Sequence, residues 1–170
     1  MKKLAALTFA LTSCGPSDRL DWSCFSGVRT YSYANDAGEL TAYTVNFREE
    51  RASAFGRVRS LHDDSVRSRD MEFDLDDQYF AFGNTVVAAN LFSERSWTRG
   101  ILQCSRIEQG PPANDAVARV VCRERGAKGS LEYLFDKTRG ITEFQLNYAD
   151  GSVATFRLKG QSGLGETCPS

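Results

Sequence analysis

Between Leu131 and Leu158 the chain alternates apolar and polar residues with period two, and turn residues interrupt it at short intervals. Leu131, Tyr133 and Phe135 fall on one face of an extended segment. Phe144, Leu146 and Tyr148 do so on the next, and Ala154, Phe156 and Leu158 on the last. Side chains of a strand point alternately to its two faces, so this pattern buries one face of a sheet and wets the other. The turns then fix the register. A two-residue turn at Asp150-Gly151 would set Phe144 and Leu146 opposite Arg157 and Thr155. A three-residue loop with Gly151 left-handed sets them opposite Phe156 and Ala154, which keeps the apolar faces together and is the register expected. Gly140 supplies the positive φ that the preceding "DKTRG" turn needs.

The same pattern extends upstream. Val28–Tyr33 and Leu40–Phe47 flank "NDAG", and the second segment places Tyr43, Val45 and Phe47 together. Ala54–Ser60 follows. Arg69–Phe82 reads as one long strand or two in series, with a bulge or bend where the apolar phase slips near Asp76-Asp77. Gly83-Asn84 is a hairpin signal leading into "TVVAANL", a strand or a short helix. Trp97–Glu108 and Ala116–Arg125 form a hairpin around "GPPAND". The expected fold is all-β: an antiparallel meander of about ten strands, closed as a barrel, a half-barrel wrapped round a helix, or a sandwich.

The start of the chain reads differently. Lys2 and Lys3 precede an uncharged run from Leu4 to Thr12. That run is too short for a transmembrane helix, which needs about 20 apolar residues, and matches a signal-peptide core of roughly 7–15. Leu11-Thr12-Ser13-Cys14 ends it and resembles the bacterial lipobox. The resemblance covers residues 1–15 only. It implies cleavage before Cys14, a diacylglyceryl group on the Cys14 thiol and an acyl chain (palmitate) on its amine. Two or more chains suffice for stable anchoring without a spanning helix. Gly15 after the cysteine is similar to the pattern of outer-membrane lipoproteins. With the β pattern downstream, the expected organisation is a signal peptide over 1–13, a lipidated tether over 14–21 and one β-domain over 22–170, facing the periplasm.

Composition limits the function classes. The 170 residues carry a formal net charge of −1, and loss of Lys2 and Lys3 takes it to −3. No basic cluster interleaves with aromatics, which argues against nucleic acid as a partner. Besides Cys14, Cys24, Cys104, Cys122 and Cys168 remain, an even count that in an exported chain reads as two disulfides. Direct opposition of Cys104 and Cys122 centres their hairpin at Ala113, inside "GPPAND", and puts Val120 and Leu102 on the same face. The expected pairs are therefore Cys104–Cys122 and Cys24–Cys168. The second would hold a Gly-rich tail that reads as flexible.

Candidate chemistry is sparse. Asp70, Glu72, Asp74 and Asp76 share one side if their segment is a strand, but a flat strand does not converge carboxylates on a calcium ion. Arg57 and Arg59 are their expected counter-charges, and no metal site is expected. His62, the one histidine, sits with Asp63 and Asp64 in a polar loop. "GQSGLG" departs from the G-x-S-x-G nucleophile elbow, because Leu164 stands where the second glycine belongs. Trp22 and Trp97 read as core or contact residues. No phosphate loop, dinucleotide fingerprint or cofactor motif appears. The expected function is a non-enzymatic envelope module, held to the membrane by Cys14, that binds an envelope protein or a cell-wall component. The alternative is a carrier of an apolar ligand. In size and strand-rich pattern the chain is similar to lipocalins and lipoprotein-localisation carriers, although the lipocalin Gly-x-Trp is missing.

Overall fold

The computed structural model describes residues 19–56, 69–107 and 116–168. These contain thirteen strands and no helix. One antiparallel sheet holds ten strands in the order β4-β3-β2-β1-β13-β12-β11-β10-β9-β8. It is two meanders joined at a seam. The first comprises β1 (Val28–Asn35), β2 (Leu40–Asn46), β3 (Arg51–Gly56) and β4 (Arg69–Met71). The second runs through β8 (Ser96–Arg99), β9 (Leu102–Ile107), β10 (Val117–Glu124), β11 (Ser130–Asp136), β12 (Gly140–Asn147) and β13 (Val153–Leu158). At the seam β1 pairs with β13, with Tyr33 opposite Leu158.

The chain between the two meanders forms a second sheet of three strands, β5 (Phe73–Leu75), β6 (Tyr79–Phe82) and β7 (Thr85–Ala88). Its side chains reach strands far apart in the large sheet. The Phe82 ring meets Tyr43 of β2 edge-on at 5.1 Å. The carbonyl of Val86 accepts hydrogen bonds from Tyr133 Oη of β11 (2.7 Å) and Trp97 Nε1 of β8 (3.1 Å). Strands three, seven and ten places along the order all touch the small sheet, so the large sheet curls round it. Among the described residues the two edge strands, β4 and β8, do not pair with each other, so no strand pairing closes the curl. What fills the concave side is this small sheet, where a helix had been one expectation.

The registers follow the apolar faces. Phe144 lies opposite Phe156 and Leu146 opposite Ala154, as expected. The loop between them is the three-residue one: Tyr148 N–H donates to Ser152 O, and Gly151 has φ 84°. Gly140 has φ 77°. Gly83-Asn84 joins β6 to β7, and "TVVAANL" begins as a strand.

Three sequence expectations are corrected. Arg69–Phe82 is neither one strand nor two in series but three strands in two sheets. The chain leaves the large sheet at Glu72, and the slip near Asp76 is a full reversal. Asp76 makes that turn by accepting hydrogen bonds at Oδ1 from the N–H groups of Gln78 and Tyr79, both at 2.7 Å. Trp97–Glu108 is broken at Gly100-Ile101, where Gly100 has φ 58° and β8 folds back on β9. The Gly-rich tail is not flexible: Gly163, Leu164, Gly165 and Glu166 are buried. Packing also begins earlier than the expected domain start, since Leu20 is buried and its N–H donates to Ala89 O at 2.6 Å.

Candidate functional site

The tail is a strap across one end of the sheet. Two glycines permit its approach. A Cβ on Gly163 would stand 2.0 Å from Ile141 O, and one on Gly140 would stand 2.5 Å from Glu166 N. No side chain fits there, so the two backbones bond directly. Ile141 N–H donates to Leu164 O at 2.8 Å, and Gly163 N–H donates to Arg139 O at 2.7 Å. From the other side, Trp22 Nε1 donates to Gly165 O at 3.0 Å, and Cys168 N–H donates to Asp21 O at 2.8 Å.

Beneath the strap lies the most buried charge among the described residues. Glu166 is 7% exposed. Its Oε1 accepts from Arg29 Nη1 at 2.7 Å and lies 3.3 Å from Tyr31 Oη. Leaving a buried carboxylate unpaired is costly, and Arg29 supplies its counter-charge. Burial, followed by the charge of Glu166, pushes the Tyr31 hydroxyl well above its usual range. Tyr33 Oη donates to Ile141 O at 2.8 Å and accepts from Leu164 N–H at 2.9 Å. Burial raises this hydroxyl too. Neither tyrosine is poised to give up a proton near neutral pH, and Glu166 is engaged by a cation. The cluster fastens the strap; it does not have the free acid and base of a catalytic pair. Glu166 lies 137 residues from Arg29 and 135 from Tyr31, and no spacing signal links it to them, so the sequence did not single out the cluster.

The expected site residues fall as follows. Cys14, Arg57, Arg59, His62, Asp63 and Asp64 lie outside the described residues. Asp70 is in β4, whereas Asp74 is in β5 of the other sheet, so the four carboxylates do not form one row. Asp74 and Asp76 both pair with Arg99, Asp76 at 3.1 Å. Partial burial pushes Asp76 up, but the two turn N–H groups and Arg99 outweigh it and hold the carboxyl below the usual range. Among the described residues no group of three or more His, Cys, Asp or Glu could hold a metal. Ser162 belongs to the strap. Trp22 and Trp97 are each 5% exposed, with both indole N–H groups bonded to backbone carbonyls, and serve the core. On the convex side a shallow depression is lined by Arg119, Glu132, Leu134, Glu143 and Gln145. Its two carboxylates pair with Arg119 at 3.6 Å and Arg157 at 2.9 Å.

Both expected disulfides are present, Cys24–Cys168 and Cys104–Cys122. Cys104 faces Cys122 at 4.1 Å between Cα atoms. The bond from Arg125 N–H to Ile101 O sets the alternation of the β9–β10 ladder, which makes this a non-hydrogen-bonded pair, the closer of the two kinds. Val120 is fully buried and Leu102 partly buried against the same core.

The chain matches no protein-family model, no curated protein and no solved structure. The fold and its chemistry therefore stand on the residues alone.

Proposed function

We propose that this chain is a lipoprotein of the bacterial envelope, anchored through an acylated Cys14, whose β-domain is a non-enzymatic binding or structural module for an envelope protein or a cell-wall component. The anchor rests on Lys2-Lys3, the short apolar run and Leu11-Thr12-Ser13-Cys14. Gly15 after the cysteine, similar to the pattern of outer-membrane lipoproteins, supports the outer membrane, where the domain would face the periplasm. One observation supports a module over an apolar carrier: the concave side is occupied by the chain itself. Phe80, Val87 and Leu91 from the small sheet and its exit, and Val45, Val120 and Phe135 from the large one, are each 0% exposed. A ligand cavity of about 300 Å³ or more would leave its lining side chains accessible. To act as a carrier, the domain would have to displace its own small sheet.

The anchor has a direct test. Wild-type chain is expected in the membrane fraction, with an intact mass that includes the acyl chains. A Cys14→Ser variant should leave that fraction. Recovery of the variant on the membrane at the wild-type level would end the proposal.

A further inference from the structure

The two disulfides differ in access. Cys104 and Cys122 are 3% and 2% exposed, sealed between the large sheet and the small one. Cys24 is exposed and Cys168 half-buried, at the strap end. Exchange begins when a thiolate reaches a disulfide sulfur, and it goes faster when the departing sulfur is a stable anion. Both conditions point the same way here. Cys24 is the more exposed residue of the pair. Cys168 Sγ accepts a hydrogen bond from the Cys24 backbone N–H at 2.9 Å, and that donor would stabilise a thiolate on Cys168.

The strap can also lose this bond without the sheet unfolding. It keeps its backbone bonds to Ile141 and Arg139, the Trp22 indole bond and the Arg29–Glu166 ion pair. The barrier to opening is therefore local, whereas reaching Cys104–Cys122 requires separating two sheets.

We propose that Cys24–Cys168 is a thiol–disulfide exchange site whose partner is a dithiol, with Cys24 as the sulfur attacked and Cys168 as the leaving sulfur. A thiolate of the dithiol bonds to Cys24 Sγ, the Cys24–Cys168 bond breaks, and Cys168 departs as a thiolate that takes up a proton. The second thiol of the reagent, after losing its proton, attacks the mixed disulfide and releases Cys24, which is protonated in turn. The protein gains two electrons and two protons, and the dithiol becomes a disulfide. The strap is then held by non-covalent contacts alone. This assignment is independent of acylation at Cys14.

The test uses the full chain under native conditions. Dithiothreitol is added, samples are quenched and alkylated over time, and each cysteine is scored by peptide mass. Cys24 and Cys168 should become alkylated at least about 100-fold faster than Cys104 and Cys122, whose bond is shielded until larger-scale opening. With glutathione in place of the dithiol, the trapped mixed disulfide should sit on Cys24. Hydrogen exchange of the partly reduced protein should rise at Ile141, Gly163 and Leu164 and stay unchanged in β10 and β11. Equal reduction of the two disulfides, glutathione on Cys168, or exchange rising across the whole sheet would each overturn the proposal.

Discussion

The outer meander from β10 to β13 and the small inner sheet are built from the same kinds of residue, yet they obey different rules. In β10 every second side chain is buried: Ala118, Val120 and Cys122 face in, while Arg119, Val121 and Arg123 face out. In β7 the run Val86, Val87 and Ala88 is buried without a break. A strand with one wet face can place a polar residue at every other position. A strand with a sheet on one side and packed side chains on the other cannot. Its exposed edge also has to be satisfied from within, and here the Tyr133 hydroxyl and the Trp97 indole bond to the Val86 carbonyl in place of a neighbouring strand. An inner layer is thus stabilised by burial and is costly to perturb, whereas the outer layer buffers change at its solvent face.

This difference can be measured. The largest effect is expected at Phe80, which is 0% exposed and packs against Trp22 and Phe73. Phe80→Ala should cost about 3–5 kcal/mol in chemical denaturation. A loss near 1 kcal/mol would mean that the small sheet is not part of the cooperative core.

A paired comparison is sharper. Val87→Thr places a hydroxyl in the inner layer and should cost about 1–3 kcal/mol. Val121→Thr makes the same change on the outward face of β10 and should stay within about 0.5 kcal/mol. Equal costs for the two would erase the distinction between layers.

The period-two reading succeeded where a strand has one wet face. Phe144, Leu146, Ala154 and Phe156 could be matched because only one register joins their apolar sides, and the Cys104–Cys122 pair followed from the same geometry. It failed at Arg69–Phe82 because alternation reports a face and not which sheet the face belongs to. It missed the break in Trp97–Glu108 because Arg99-Gly100-Ile101 lacks the Asn-Gly or Asp-Gly of a strong hairpin signal. The strap was misread because glycines that permit contact and glycines that confer flexibility look alike in a sequence. The Arg29–Glu166 pair was hidden because long-range pairing leaves no local pattern.

The smallest effect concerns Thr41, on the concave face of β2. It is 0% exposed, and its Oγ1 has no hydrogen-bond partner among the described residues. Thr41→Val removes an unpaired hydroxyl at nearly constant shape. The variant should be more stable by about 0.5–1 kcal/mol, read as a raised melting temperature. A destabilised variant would show that the concave face tolerates polar groups after all.

The seam between β1 and β13 has a consequence for how the chain reaches this state. Each meander is assembled from neighbours in sequence, and such local pairings form early and fast. The seam joins strands far apart in sequence, with Tyr33 beside Leu158 and Cys24 bonded to Cys168, 144 residues away. A chain emerging from its amino end can complete the first four strands and must then leave the outer edge of β1 unpaired until the last strand has arrived. During that interval β1 is an open template for other chains. Arrival of β13 is therefore the step that both finishes the sheet and covers that edge of β1.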